Sequence, residues 1–302
     1  MPDSAVIPGT TTYRMSSLAW AMAVQSATET LRLEDGVDLA GSTPGPGAAI
    51  LAGLDDLTRA GIARELNTAG ITDSAGRIRP QWLQALGQGA TAPIRLSLVA
   101  RSAGASTHCR VNLFDGRGLA VEFTRPVATA ADGKVAAASV ADAVTVTLLP
   151  EAVLWPVMAR SMPPFPELTT GAAGPDAGSA DSGPVPGRDG GKTTLSAADA
   201  TALARGGSDD IPPGVAAAVA AAKATVYLDV QSQAAGTGLP YRAAGVWALS
   251  DSLYSVRTTG PAGARRLVMV EAASGDIARQ LVWHTVGAHE FLARRTSAEP
   301  AS

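Results

Sequence analysis

Few residues in this chain are of types that do chemistry, and their spacing decides what they can do. His108 and Cys109 are the one Cys–His adjacency. A thiolate–imidazole pair needs both groups on one side of the backbone, whereas neighbours on a strand point to opposite faces; the strand pattern here therefore predicts a structural cysteine. His284 and His289-Glu290 lie five residues apart. On a helix that spacing turns the rings away from each other, unlike the four-residue spacing that shares a zinc ion. The chain has 3 histidines, so a His-based metal site would have to be assembled from distant positions. Gly190-Gly191-Lys192-Thr193-Thr194 has the tail of a phosphate-binding loop, but Pro186 stands where the leading glycine belongs and no strand precedes it. Asp73, in the turn from Gly70 to Arg77, lacks the alternating carboxylates of a calcium loop. Asp55-Asp56 and Asp209-Asp210 read as solvated helix or loop positions. No nucleophile elbow and no dinucleotide-binding fingerprint occurs. The sequence thus predicts no enzyme, metal or cofactor, with a site assembled only in the fold as the alternative.

What remains is a hairpin. Trp247 and Leu249 precede, and Tyr254 and Val256 follow, the turn at Asp251-Ser252. Aromatics in strands are either core or, being amphipathic, anchors of protein interfaces. Both readings stand from sequence, and the four residues form the predicted partner-binding set.

The elements that would position them follow from periodicity. Helical spacing marks Tyr13 to Leu33, Ala48 to Ala69 and Pro80 to Leu86. Strand alternation marks Ile94–Val99, Arg110–Phe114, Leu119–Phe123 after a Gly-bearing turn, and Ala143–Leu149, with Pro150 opening a helix that Pro156 shortens or kinks. From Met162 the composition turns to Pro, Gly, Ser and Ala, which reads as a flexible linker over 166–193 between halves 1–165 and 194–302. Ala-rich helices follow at Leu195–Ala204 and Pro213–Lys223. A second meander then runs through Thr225–Val230, Gly245–Leu249, Leu253–Arg257 and Arg266–Val270. A closing helix starts at Asp276, with a short strand over Leu281–Thr285 as the alternative reading. Each half has the same order: helices, four strands, closing helix. The fold class expected is α+β, a quasi-twofold pair of antiparallel meander-plus-helix halves that share a central sheet by pairing edge to edge.

Composition narrows the partners. A net charge of −3 and a pI near 5.6 provide no cationic field for nucleic acid. The longest apolar window, Gly214 to Leu228, is mostly Ala and is interrupted by Lys223, so no membrane insertion is expected. The N-terminus lacks a signal-peptide pattern and a single cysteine fits a reducing compartment, which together predict a cytoplasmic protein.

Several segments together resemble the EspG family of secretion-associated chaperones of ESX (type VII) systems. They are the apolar helix with Leu18 and Trp20, GITDSAGRIRP (Gly70 to Pro80), APIRLSLVA (Ala92 to Ala100), LFDGRGLAVEF, VTLLPEAVLWPVMARSMPPFP and YSVRTTGPAGARRLVMVE. They cover most of the chain outside the tract from Gly171 to Gly191, where the sequence departs from the family's pattern. The resemblance implies a quasi-twofold α+β fold and a cytosolic chaperone that recognises a PE–PPE heterodimer at the apolar tip of its PPE subunit. A scaffold subunit of the export machinery is the alternative.

Overall fold

The alternating runs become one 10-stranded antiparallel sheet in the computed structural model, which describes residues 7–35, 51, 53–129, 135–139, 141–171, 202–203, 211–232, 240–259 and 266–298. The strands are β1 (Thr11–Ser16), β2 (Ile94–Ser102), β3 (Ala105–Phe114), β4 (Arg117–Thr129), β5 (Val135–Ala137), β6 (Ala143–Pro150), β7 (Ala224–Ser232), β8 (Tyr241–Leu249), β9 (Leu253–Thr259) and β10 (Arg266–Glu271). Their order across the sheet is β1-β6-β4-β3-β2-β7-β8-β9-β10, with β5 beside β4. The helices are α1 (Ser17–Asp35), α2 (Asp56–Thr68), α3 (Pro80–Ala90), α4 (Leu154–Ala159, after a 3-10 turn), α5 (Pro166–Thr169), α6 (Pro213–Ala220) and α7 (Asp276–Ala298).

The halves join where their first strands meet. β2 and β7 pair over their full length, from Ile94 opposite Ser232 through Leu98 opposite Leu228 to Ser102 opposite Ala224. A rotation about the Leu98–Leu228 pair exchanges the halves. It carries β3 onto β8, β4 onto β9, and β6 onto β10, and it brings closing helix α4 onto α7. The quasi-twofold α+β architecture is therefore present, and the edge-to-edge pairing is what makes it.

One face of the central strands is apolar throughout. Ile94, Leu96, Leu98 and Ala100 of β2 join Val226, Leu228 and Val230 of β7, and the closing helices cover them with Leu154, Val157 and Met158 from α4 and Ile277 and Leu281 from α7. The opposite face carries two separate cores. One packs α1, α2 and α3 on β1, β4 and β6, with Trp82 and Ile71 at its centre; the other sets α6 on β7 to β10. Tight turns hold the hairpins: Asp115 (φ 48°) and Gly116 (φ 69°) both adopt the left-handed conformation that a two-residue hairpin of matching twist requires.

Three expectations are corrected. Tyr13 and Met15 belong to a strand: Thr11–Ser16 pairs with β6 along its length and the helix starts at Ser17, because the β-branched run at 10–12 finds a partner more than a hundred residues away. The chain does not loosen at residue 166, since Pro166–Thr169 forms a helical turn and Leu168 is buried in the main core. Residues 281–285 are helical, as the closing-helix reading expects. The helix expected from Ala48 is described from Asp56, with Asp55 accepting from the Thr58 N–H as its cap, and most of Leu195–Ala204 lies outside the described residues. Pro156 is accommodated in the first turn of α4, where its missing N–H costs nothing.

Gly245 makes the second half's packing possible. It sits two residues before Trp247 on the same face of β8, and a Cβ there would overlap the six-membered ring of that indole. Gly245→Ala is expected to destabilise the fold by about 1–3 kcal/mol, the usual cost of overpacking. A thermal melt checks this; an unchanged midpoint would show that the indole can move aside.

Candidate functional site

Position of α7 is set by a buried polar anchor. The Trp247 indole N–H donates to Asp276 Oδ2 at 2.8 Å, and Asp276, 2% exposed, also takes Arg279 at 2.7 Å and Arg257 at 3.5 Å. A carboxylate buried with an indole donor and two guanidinium groups has the partners that burial demands. Further along, Gly287 lets the helix pass close to Tyr241: a Cβ there would stand 2.6 Å from the phenol oxygen. The glycine that weakens helix propensity is thus a packing requirement. Beyond it, His289 Nε2 lies 2.7 Å from Glu151 Oε1 and ties α7 to the first half.

With its inner face anchored this way, α7 turns apolar side chains outward. Val282, Trp283 and Val286 are 52%, 53% and 47% exposed. They fall on one stripe, at one-turn spacing, with Arg279 at one end and Glu290 at the other. An apolar patch with a charged rim is the surface pattern of a docking site.

On its third strand the first half carries the counterpart of Arg257, with the charge reversed. Ala120 and Ser255 occupy equivalent places on the third strands, opposite Val111 and Trp247, so Glu122 and Arg257, two residues on, are equivalents as well. Glu122 is 8% exposed and pairs with Arg160, which follows α4; Arg160 also donates to Thr147 Oγ1 at 2.9 Å, and the Ser161 hydroxyl donates to Glu122 Oε2 at 2.8 Å. A carboxylate whose lone pairs are taken by a guanidinium and a hydroxyl is an anchor, and Ser161 has no imidazole beside it to act as a nucleophile. This cluster borders an open groove of about 590 Å³ at the end of the sheet.

The residues singled out from sequence are placed as follows. Cys109 is fully buried on the apolar face beside Glu122, and burial raises its thiol pKa strongly. His108 lies on the other face, stacked on Phe123 at 4.7 Å with Nε2 3.0 Å from Ser106 Oγ, so the two never meet. Burial also lowers His284, whose ring is directed into the core. Among the described residues no group of three or more His, Cys, Asp or Glu is placed to hold a metal ion. Asp73 spends its carboxylate on the Ala75 and Arg77 N–H groups and the Arg77 side chain, which makes a turn.

In the predicted partner-binding set, Trp247, Leu249 and Val256 are core side chains at 2%, 4% and 3% exposure. The register explains the split. Trp247 faces Ser255 and Ala248 faces Tyr254, so the two aromatics lie on opposite sides of the sheet and only Tyr254 keeps accessible surface, with its hydroxyl on Asp251 at 3.1 Å. Sequence reasoning missed the α7 stripe because Val282, Trp283 and Val286 look like core positions until the helix's inner face is known.

No protein-family model matches the chain, and no curated protein does. Among solved structures, 13 chains match. One is from the structure of the Mycobacterium tuberculosis type VII secretion system chaperone EspG5 in complex with PE25-PPE41 dimer, at 10% identity over 92% of this chain and 95% of that one, with a TM-score of 0.45. The likeness is to an EspG chaperone. At that identity and score it assigns no residue a role; the α+β fold rests on this chain's own sheet and helices.

Two measurements follow from the geometry. Glu122→Ala leaves Arg160 and Ser161 facing an apolar side chain, and is expected to cost on the order of 3 kcal/mol in chemical denaturation; a loss below 1 kcal/mol would mean that Arg160 simply swings into the groove. His108 is pushed down from 6.5 to about 4, by burial first and then by Arg125, Arg110 and Arg101. Folding therefore favours its neutral form, and its contribution is fully present above pH 6.5 and lost as pH falls toward 4. An NMR titration should place the His108 midpoint near the lower value, and a midpoint at 6.5 would contradict it.

Proposed function

We propose that this chain is a chaperone of the EspG type, which binds PE–PPE-type substrates of a type VII (ESX) secretion system in the cytoplasm and covers the apolar tip of the PPE subunit. The observation that carries the reading is the exposed Val282-Trp283-Val286 stripe on α7. A helix held by a buried anchor and displaying a half-exposed tryptophan presents a rigid surface, which binds without a large ordering cost. The sequence segments quoted above support the same reading. Tyr254, the accessible member of the predicted set, is a further candidate contact.

The physics of the role is simple. A secreted helical substrate with an apolar tip self-associates unless the tip is covered, and a cover that must later be released suits an ordinary interface of roughly 1,200–2,000 Å². Nothing in that role calls for a cofactor.

Co-expression with PE–PPE pairs from the same host, followed by size-exclusion chromatography, tests the proposal. A 1:1:1 complex is expected. Trp283→Ser should weaken it at least tenfold, the share of a central aromatic contact, while leaving the thermal midpoint unchanged because the side chain is outside the core. Failure of every pair to associate would end the proposal.

A further inference from the structure

The face of the sheet turned away from α4 and α7 is covered on its flanks, by α1 to α3 on β1, β4 and β6 and by α6 on β7 to β10. Between these cores β2 and β3 keep accessible surface. Arg95 and Arg110 are exposed, and Ser97, Val99, Arg101, His108 and Asn112 are half-buried. The register puts these side chains on one face: Ser97 lies opposite Arg110, Val99 opposite His108, and Arg101 opposite Ser106, which in turn faces Arg125 of β4. Strand alternation therefore gathers Arg95, Arg101, Arg110 and Arg125 on one strip. At about 3.3 Å per residue, the strip is roughly 20 Å long from Arg95 to Arg101.

Such a strip runs against the composition, since the whole chain has a net charge of −3. It is not neutralised from within. Among the described residues of β2, β3, β4 and β7, this face carries one carboxylate, Asp229, which is engaged by Gln231 and by Arg242 at 3.7 Å. Arg95 is steadied by the Ala90 carbonyl at 2.8 Å, and Arg125 lies over the Phe123 ring at 5.8 Å with its Nε buried and without a hydrogen-bond partner. His108 senses the same field: after burial, Arg125, Arg110 and Arg101 lower its pKa, and no carboxylate offsets them. Like charges gathered in this way cost the fold self-repulsion, which an anionic partner removes.

We propose that this strip is a docking site for an extended acidic segment of a protein partner, with its carboxylates seated on Arg95, Arg110 and Arg125. The inference goes beyond the chaperone reading and concerns the side of the sheet opposite the α7 ridge. Two features favour a peptide over nucleic acid. The rings that could stack bases are already occupied, Phe123 by His108 at 4.7 Å and Tyr227 by Arg101 at 5.4 Å. The strip is also only a strand pair wide, between two helical cores, which suits a single extended chain. Such a chain turns every second side chain to one side, so Asp or Glu at alternate positions meets the guanidinium groups, whose planar fork matches a carboxylate.

The test uses the full chain and a fluorescein-labelled dodecapeptide of alternating Asp and Ser, read by fluorescence anisotropy beside a thermal melt. Saturable binding that fades in high salt is expected, with none for the same peptide carrying Asn in place of Asp. Arg110→Glu and Arg95→Glu change exposed positions outside the cores, and each should weaken binding about tenfold or more with the melting midpoint unchanged or raised. Arg125→Gln keeps a stem over Phe123 and should weaken binding by a smaller factor. Absence of saturable binding, or wild-type affinity in the folded variants, would overturn the proposal. Displacement of the peptide by single-stranded oligo-dT at lower concentration than by unlabelled peptide would overturn it in favour of nucleic acid. A photo-crosslinker at Ser97 that reacts with residues 172–201 of the same chain would also overturn it, because the occupant would then be internal.

Discussion

Everything in this fold depends on the pairing of β2 with β7. Each is the first strand of its meander, and each would present an open row of N–H and C=O groups if its half stood alone. Joined over nine register pairs centred on Leu98 and Leu228, they turn two short sheets into one and make a continuous apolar face from two narrow ones. A chain so rich in alanine buries little area per residue, so that shared face is the deepest core available to it. The closing helices α4 and α7 both pack there.

The pseudo-symmetry is strict at the centre and relaxes outward. Glu122 with Arg160, and Arg257 with Asp276, fasten the closing helix of each half to its third strand with opposite charge order. The strand positions are equivalent, whereas their partners are not, since Asp276 opens α7 and Arg160 follows α4. Twenty-three residues of α7 span the second half and carry Trp283 outward; six residues of α4 end at Ala159. Among the described residues, one half is therefore closed with an apolar ridge on its outside, and the other has a groove. A protein built from two similar halves obtains in this way two different surfaces on one side of its sheet.

Much of this was legible in the sequence and some was not, for physical reasons. Period-two alternation in Ile94–Val99 and Arg110–Phe114 is a local signal, and these residues are strands. The duplicated order of elements led to edge-to-edge pairing, which the β2–β7 register bears out. β1 was hidden because its partner, β6, is distant in sequence and a helix follows directly. Leu168 was hidden by the prolines around it, although a lone leucine in a polar tract is itself a hint of burial. Trp247 was left between core and interface, and the decisive fact, Asp276 beneath its N–H, is a contact across 29 positions that no periodicity encodes. The α7 stripe and the groove were invisible for a related reason. Each is defined by what a neighbouring element leaves uncovered.

We propose that the side of this sheet carrying the α7 ridge receives a protein partner. Hydrogen–deuterium exchange of the full chain, with and without a PE–PPE heterodimer, tests it most directly. Slowed exchange is expected at residues 282–286, with the opposite side at α1, α2 and α3 unchanged. Protection confined to that opposite side, or none at all in a complex shown to form, would contradict it.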